Sequence, residues 1–144
     1  MIREILSPLY ERIILLQCRH IPHHIAIIQD GNRRYAKLQH LPRSVGHRVG
    51  AARTEEMLDW ARELGIRHIT LYSFSTENFQ RDAEEVRDLF SLFKEKFQKV
   101  TDDPRVHREG IRVQIVGDRS LLPPDLREVI EKAEESTRAY SEYH

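Results

Sequence analysis

Apolar residues recur along this chain in blocks, and the period of recurrence changes from one block to the next. Residues 2–17 place Ile2, Ile5, Leu6, Leu9, Ile13 and Leu16 at the spacing of an amphipathic helix, interrupted by Pro8. The run HIAIIQ at 24–29 is short and Ile-rich, and it stops at the turn-forming Asp30, Gly31 and Asn32, which is how a buried strand reads. A basic segment broken by Pro42 follows. From about Val45 to Leu64, the residues Val49, Ala52, Met57, Trp60, Ala61 and Leu64 repeat at helical period, and Gly65 supplies the stop. IRHITLYSF at 66–74 is expected as a second strand.

Asp82 with Glu85 three residues later resembles a capping box, and Val86, Leu89, Phe90, Phe93, Phe97 and Val100 then mark one face of a long helix. Asp102, Asp103 and Pro104 end it. IRVQIVG at 111–117 alternates apolar and polar residues as a third strand. Pro123 and Pro124 precede a last helix with Leu126, Val129, Ile130, Ala133, Thr137 and Tyr140 in line. The order, a helix and then βαβαβα, predicts one domain: an N-terminal helix over 1–20 and an α/β core over 21–144. Strands separated by helices pair in parallel through right-handed crossovers, so the expected fold is a parallel sheet with helices on both faces. Such sheets bind ligands at the carboxyl ends of their strands. The first strand ends at Asp30, Gly31, Asn32, Arg33 and Arg34, and the second at the polar stretch from Ser73 to Arg81, so both clusters fall on one edge.

Composition leaves this picture unchanged. With 144 residues, 40% hydrophobic and 32% charged, the chain suffices for one ordinary core. No apolar run approaches the roughly 20 residues that span a bilayer, and the N-terminus lacks a secretory pattern, so a cytoplasmic location is expected. The lone Cys18 can form neither an internal disulfide nor, by itself, a structural zinc site.

Charge does change the picture. Basic and acidic residues balance at 23 each, yet no acidic side chain lies between Asp30 and Glu55, where Arg33, Arg34, Lys37, Arg43, Arg48 and Arg53 stand beside His40 and His47. So compact a patch suits a small polyanion better than a nucleic acid, for which positive charge spreads over a face; a solvated basic loop is the plainer reading. Guanidinium forks match phosphate oxygens, and backbone N–H groups after a glycine add neutral donors. Asp30, a carboxylate at a strand end, can hold Mg²⁺ against a diphosphate, since that ion takes one or two carboxylates plus phosphate oxygens; otherwise it is a turn residue that caps the next helix. His47 suits a general acid or base, or a neutral donor to phosphate, and the second role is preferred. His20, His23 and His24 are not spaced to share a helix face and are not read as a metal site. There is no Walker loop and no G-x-G-x-x-G.

HIAIIQDGNRRYAK, GHRVGA and LYSFSTENFQR, in that order and at these spacings, resemble the three N-terminal signatures of the cis-prenyltransferases, the family that includes undecaprenyl diphosphate synthase. The resemblance runs from about residue 20 to about 140. It implies an enzyme that condenses isopentenyl diphosphate onto an allylic prenyl diphosphate, with Mg²⁺, as a homodimer with possible membrane contact through its product. Asp30 would be the essential carboxylate and the metal ligand. Gly31, Asn32, Arg33, Arg34, Tyr35, Arg43, Gly46 and His47 would cradle the allylic diphosphate. Phe74, Ser75 and Asn78 would sit beside the reacting carbons, with Ser75 and Asn78 in hydrogen-bond relay to Asp30, and Arg81 would contact the phosphates. Phe90, Phe93 and Phe97 would line the tunnel for the growing chain, beside a small Ser73. Tyr35 and Phe79 stand where the family commonly has Trp, and both keep aromatic bulk. The family also continues into further strands, an R-x-x-G-E-x-R-x-S segment and a metal-sharing glutamate, whereas this sequence stops at His144. The isopentenyl diphosphate site would then lie outside it, and a binding module or a non-catalytic partner subunit is the alternative.

Overall fold

The computed structural model describes residues 20–144, so the helix expected over 2–17 and Cys18 lie outside the described residues. Strands β1 (His24–Ile28) and β2 (His68–Tyr72) pair in parallel, with His24 beside His68 and Ile28 beside Tyr72. Side chains alternate across a strand. Ile25, Ile27, Ile69 and Leu71 are accordingly half-buried on one face, while Ile28 and Tyr72 are exposed on the other. The helices are α1 (Asn32–Leu38), α2 (Arg43–Glu63), α3 (Ala83–Asp102), α4 (Pro104–Arg108) and α5 (Pro124–Thr137), with 3₁₀ turns at Thr76–Gln80 and Arg119–Leu121. This is the expected α/β class, with parallel strands joined through helices. None of the described helices is long and apolar enough to cross a membrane.

Helix α1 is an addition to the sequence reading. It lies in the basic segment, and Ala36 is its one buried residue, so it shows no apolar stripe for a periodicity argument to find. Pro42 then caps α2, one turn earlier than the apolar pattern begins. The core lies between α3 and α5. Leu89 and Leu92 on α3 are each 5% exposed, and Leu126, Ile130 and Ala133 on α5 are 2% or less. Asp82 caps α3, its carboxylate accepting from the Glu84 N–H at 2.9 Å, but the expected capping box is not completed, because Glu85 turns to Arg43 and His47 instead.

The third strand expected over 111–117 is corrected. This segment makes a single parallel bridge, Ile111 with Tyr143. The Val113 N–H donates to Thr137 Oγ1 at 3.1 Å and the Ile115 N–H to Glu134 Oε1 at 2.7 Å, so α5 side chains take the place of a neighbouring strand along one edge. On the other edge, among the described residues, only Tyr143 and His144 intervene. The Arg112 N–H donates to the Tyr143 carbonyl at 2.7 Å, the His144 N–H to Arg67 at 2.8 Å, and the Ile69 N–H to His144 at 2.7 Å. Alternating apolar residues therefore predicted the setting of 111–117, but a ladder needs a partner along its length, and here that partner is two residues long.

Candidate active site

Both polar clusters lie at the strand ends. The Gln29 N–H donates to the Tyr72 carbonyl at 3.1 Å, and the Gln29 amide donates to Thr54 Oγ1 at 2.7 Å, which ties the end of β1 to α2. Gly31 then turns the chain with φ +99°, a conformation that costs a side-chain-bearing residue energy, and caps α1. The turn leaves Asp30 at the rim. Its Oδ2 accepts from Arg34 Nη2 at 2.7 Å and its Oδ1 from the Gly31 N–H at 2.6 Å, and both paired side chains are about three-quarters exposed (76% and 75%).

Arg33, Arg43, His47 and Arg81 converge elsewhere, on Glu85, whereas Arg48 pairs with Glu95 and Arg53 with Glu56. Arg33 Nε lies 3.5 Å from its Oε1, Arg43 Nη1 3.1 Å from Oε2, His47 Nε2 3.1 Å from Oε1 and Arg81 Nη1 3.5 Å from Oε1. The carboxylate is 2% exposed and the imidazole 6%, whereas the Arg33 and Arg43 side chains are about half exposed. Each cation therefore turns one nitrogen inward. The four contributors come from three separate pieces of chain: the first turn of α1, the first two turns of α2 and the residue before the Asp82 cap. They meet because α1 and α2 touch closely. A Cβ on Gly46 would lie 2.5 Å from the Asn32 carbonyl oxygen and 2.8 Å from Ala36 Cβ, and one on Gly50 would overlap the Asn32 side chain. Gly46 is buried in that contact, and Tyr35, on the same short helix, is largely exposed.

The second loop closes on itself. The Ser75 N–H donates to Asn78 Oδ1 at 3.1 Å and the Asn78 N–H to the Ser75 carbonyl at 2.9 Å. Among the described residues no hydrogen bond joins either one to Asp30; the short-range partner within the 3₁₀ turn is already in reach. Phe74 belongs to an aromatic cluster, with ring centroids 5.0 Å from Phe79, 5.2 Å from Phe90 and 6.2 Å from Phe93. Phe97 is half-buried farther along α3. The loop and helix that carry Arg81 and Glu85 thus also carry the aromatic cluster, with Glu85 and Phe93 two turns apart on α3.

Glu85 escaped the sequence reading as a site residue because its position, three residues after Asp82, is that of a capping partner. A signal was present. Glu85 precedes Leu89 by four residues, which places a lone carboxylate on the edge of the buried stripe of α3. Among the described residues no group of three or more His, Cys, Asp or Glu side chains could enclose a metal ion. Asp30 offers one exposed carboxylate beside guanidiniums, a donor set that fits Mg²⁺ arriving with phosphate oxygens but does not form a cage of its own. In the His20, His23 and His24 stretch, the His24 ring hydrogen-bonds Thr70 Oγ1 at 2.8 Å.

Comparison with known proteins places the chain in a family. The family described as putative undecaprenyl diphosphate synthase matches residues 28–144. The tritrans,polycis-undecaprenyl-diphosphate synthases (geranylgeranyl-diphosphate specific) of Thermococcus kodakarensis and Pyrococcus furiosus are 49% and 50% identical over 137 residues, covering 94% of this chain and 52% of each relative. Lavandulyl diphosphate synthase from Lavandula x intermedia, solved with dimethylallyl diphosphate, superposes with a TM-score of 0.79 at 31% identity over 85% of this chain and 52% of that one. A probable undecaprenyl diphosphate synthase from Campylobacter jejuni, 24% identical, shares the fold with a TM-score of 0.65 over 86% of this chain and 52% of that one. The chain spans about half the length of the relatives it matches. On its own signatures and on these matches, it belongs to the undecaprenyl diphosphate synthase family of cis-prenyltransferases.

Proposed function

We propose that this chain grips the diphosphate of an allylic prenyl diphosphate, and that the activity it serves is cis elongation of that chain by isopentenyl diphosphate to an undecaprenyl-type product. The observation that carries the reading is the pairing of surplus positive charge with aromatic surface. Four guanidiniums, those of Arg33, Arg34, Arg43 and Arg81, stand against two carboxylates, Asp30 and Glu85, while Phe74, Phe79, Phe90 and Phe93 cluster on the loop and helix that carry Arg81 and Glu85. An amphiphile with a dianionic head and an apolar tail matches both halves. Geranylgeranyl diphosphate is the proposed primer, after the names of the relatives.

In this reading the exposed nitrogens of Arg33, Arg34, Arg43 and Arg81 hold the diphosphate and favour charge building on it as the allylic C1–O bond breaks. The isopentenyl double bond attacks C1, and loss of a proton leaves the cis alkene. Asp30 would hold Mg²⁺, which supplies further charge neutralisation on the leaving group. Arg34 would then exchange its bond to Asp30 for one to phosphate, as an exposed pair permits at little cost. Ser75 and Asn78 shape the loop that presents Phe74 and Arg81.

Calorimetric titration with geranylgeranyl diphosphate and Mg²⁺, followed by addition of isopentenyl diphosphate, tests the proposal. Binding is expected, weakened by more than about 1 kcal/mol in Arg43→Ala through loss of a charge-assisted contact. An unchanged dissociation constant in that variant would remove the cluster from the site. Where turnover accompanies binding, Asp30→Ala should abolish it while leaving the fold intact, and wild-type rates there would defeat the role of Asp30. Binding without turnover is the outcome expected of a prenyl-diphosphate-binding module, the second reading.

A further inference from the structure

We infer that Glu85 is a positioning residue for the diphosphate site: a buried carboxylate that holds the cations in place from beneath so that their outer nitrogens are already aimed when a diphosphate arrives. The inference rests on the diphosphate reading above. Like charges brought together repel, and Arg33, Arg43 and Arg81 come from separate segments with no covalent reason to converge. One anion at their centre removes that obstacle. Its burial matters, because Glu85 is 2% exposed and so approaches the guanidiniums from the protein side, opposite the side open to a ligand.

The atoms used fit an anchor better than a competitor. Arg33 spends only Nε on Glu85, and Arg43 and Arg81 spend only Nη1. A guanidinium carries five N–H donors in a fixed fork, so each arginine keeps a pair of nitrogens for phosphate oxygens. His47 contributes Nε2 from a buried position and completes the inner side of the cluster. Ordering these long side chains beforehand removes an entropic cost that the ligand would otherwise meet on binding. The benefit grows with the number of cations engaged at once. A diphosphate, which engages more of them than a monophosphate, therefore depends more heavily on Glu85.

That difference supplies the test. Titrations of geranylgeranyl diphosphate and geranylgeranyl monophosphate are run on wild type, Glu85→Gln and Arg43→Ala, with thermal unfolding of each. Glu85→Gln keeps the shape and removes the charge. It should weaken the diphosphate at least about tenfold while weakening the monophosphate clearly less, so that discrimination between the two falls. A residue that only supports the fold would weaken both ligands by the same factor, and equal factors, or no change in either, overturn the inference. Should Glu85→Gln not fold, Glu85→Asp carries the same test, since a carboxylate one methylene shorter cannot reach all four partners. If wild type binds the diphosphate and Arg43→Ala weakens it while discrimination survives at position 85, the positioning role alone fails. If wild type binds neither ligand, the site reading falls and this inference with it.

Discussion

The rim that carries Asp30 and Glu85 and the opposite side of the sheet, at residues 111–117, are completed in different ways. At the rim, packing of α1 on α2 and of α2 on α3 delivers Arg33, Arg43, His47 and Arg81 to one carboxylate, and every contributor lies between residues 30 and 85. At the far side, the backbone of 111–117 is satisfied by side chains from α5 and by the two residues Tyr143 and His144. Val116 there is an apolar side chain 90% exposed among the described residues. The two regions are joined by the α3–α5 core, because α3 carries Glu85 at its first turn and Leu89 and Leu92 on its buried face. The anion site is therefore built by side-chain ion pairs that helix packing brings together, whereas the sheet edge is built by backbone N–H groups that donate to α5 side chains and by the backbone of two residues, Tyr143 and His144. The two should respond differently to damage.

Damage to the joint should remove both. Ile130→Ala opens a cavity where α5 meets α3, and a buried Ile-to-Ala truncation costs about 2–5 kcal/mol. Urea unfolding followed by circular dichroism should show a lower midpoint, and prenyl diphosphate binding should vanish in step with the fold. Binding that outlasts loss of helix signal would show the rim to be independent of that core. The next largest effect separates the regions. Gly46→Ala places a methyl 2.5 Å from the Asn32 carbonyl, and overpacking of this kind costs about 1–3 kcal/mol. Since the strain falls between α1 and α2, the affinity for prenyl diphosphate should fall together with the melting temperature. A stable variant with unchanged affinity would show that the Arg33–Arg43 spacing does not matter.

The strands, the long helices and the rim were legible because each rests on a local pattern. Ile25, Ile27, Ile69 and Leu71 alternate, α3 and α5 show stripes, and Asp30-Gly31 marks the turn with a residue that tolerates positive φ. What the sequence hid was what long-range contact decides. Helix α1 has a single buried residue, so only its docking on Gly46 and Gly50 makes it recognisable, and the GHRVG spacing of two glycines one turn apart was the available clue. Glu85 looked like a cap because capping is a three-residue relation, whereas its partners stand up to 52 residues away. Ser75 and Asn78 were expected to reach Asp30 and instead bond each other, the entropically cheaper choice within one turn. The 111–117 segment has the alternation of a strand, and alternation cannot say whether a neighbour is present to pair with it.

The smallest expected effect isolates the far side. The Glu134 carboxylate lies below its ordinary range. Partial burial pushes it up, but the hydrogen bonds from Arg119, the Ile115 N–H and the charges of Arg119 and Arg138 together outweigh that. A carboxyl group whose pKa is lower folded than unfolded stabilises the fold above its unfolded value, and that contribution is lost as pH falls through the folded value. Wild type should therefore lose stability more steeply than Glu134→Gln in acid, beginning near the ordinary glutamate value of about 4.3. The other depressed carboxylates, Asp103 and Asp125 among them, are common to both proteins and cancel in the difference. Thermal melts of the two proteins from pH 7 down to pH 3 measure this, and the gap between them should narrow toward the acid end. At pH 7, prenyl diphosphate affinity should be the same in both, because none of the residues bonded to Glu134 touches Asp30 or Glu85. Parallel curves would mean that Glu134 is no better stabilised folded than unfolded, and a changed affinity would mean that the far side reaches the rim after all.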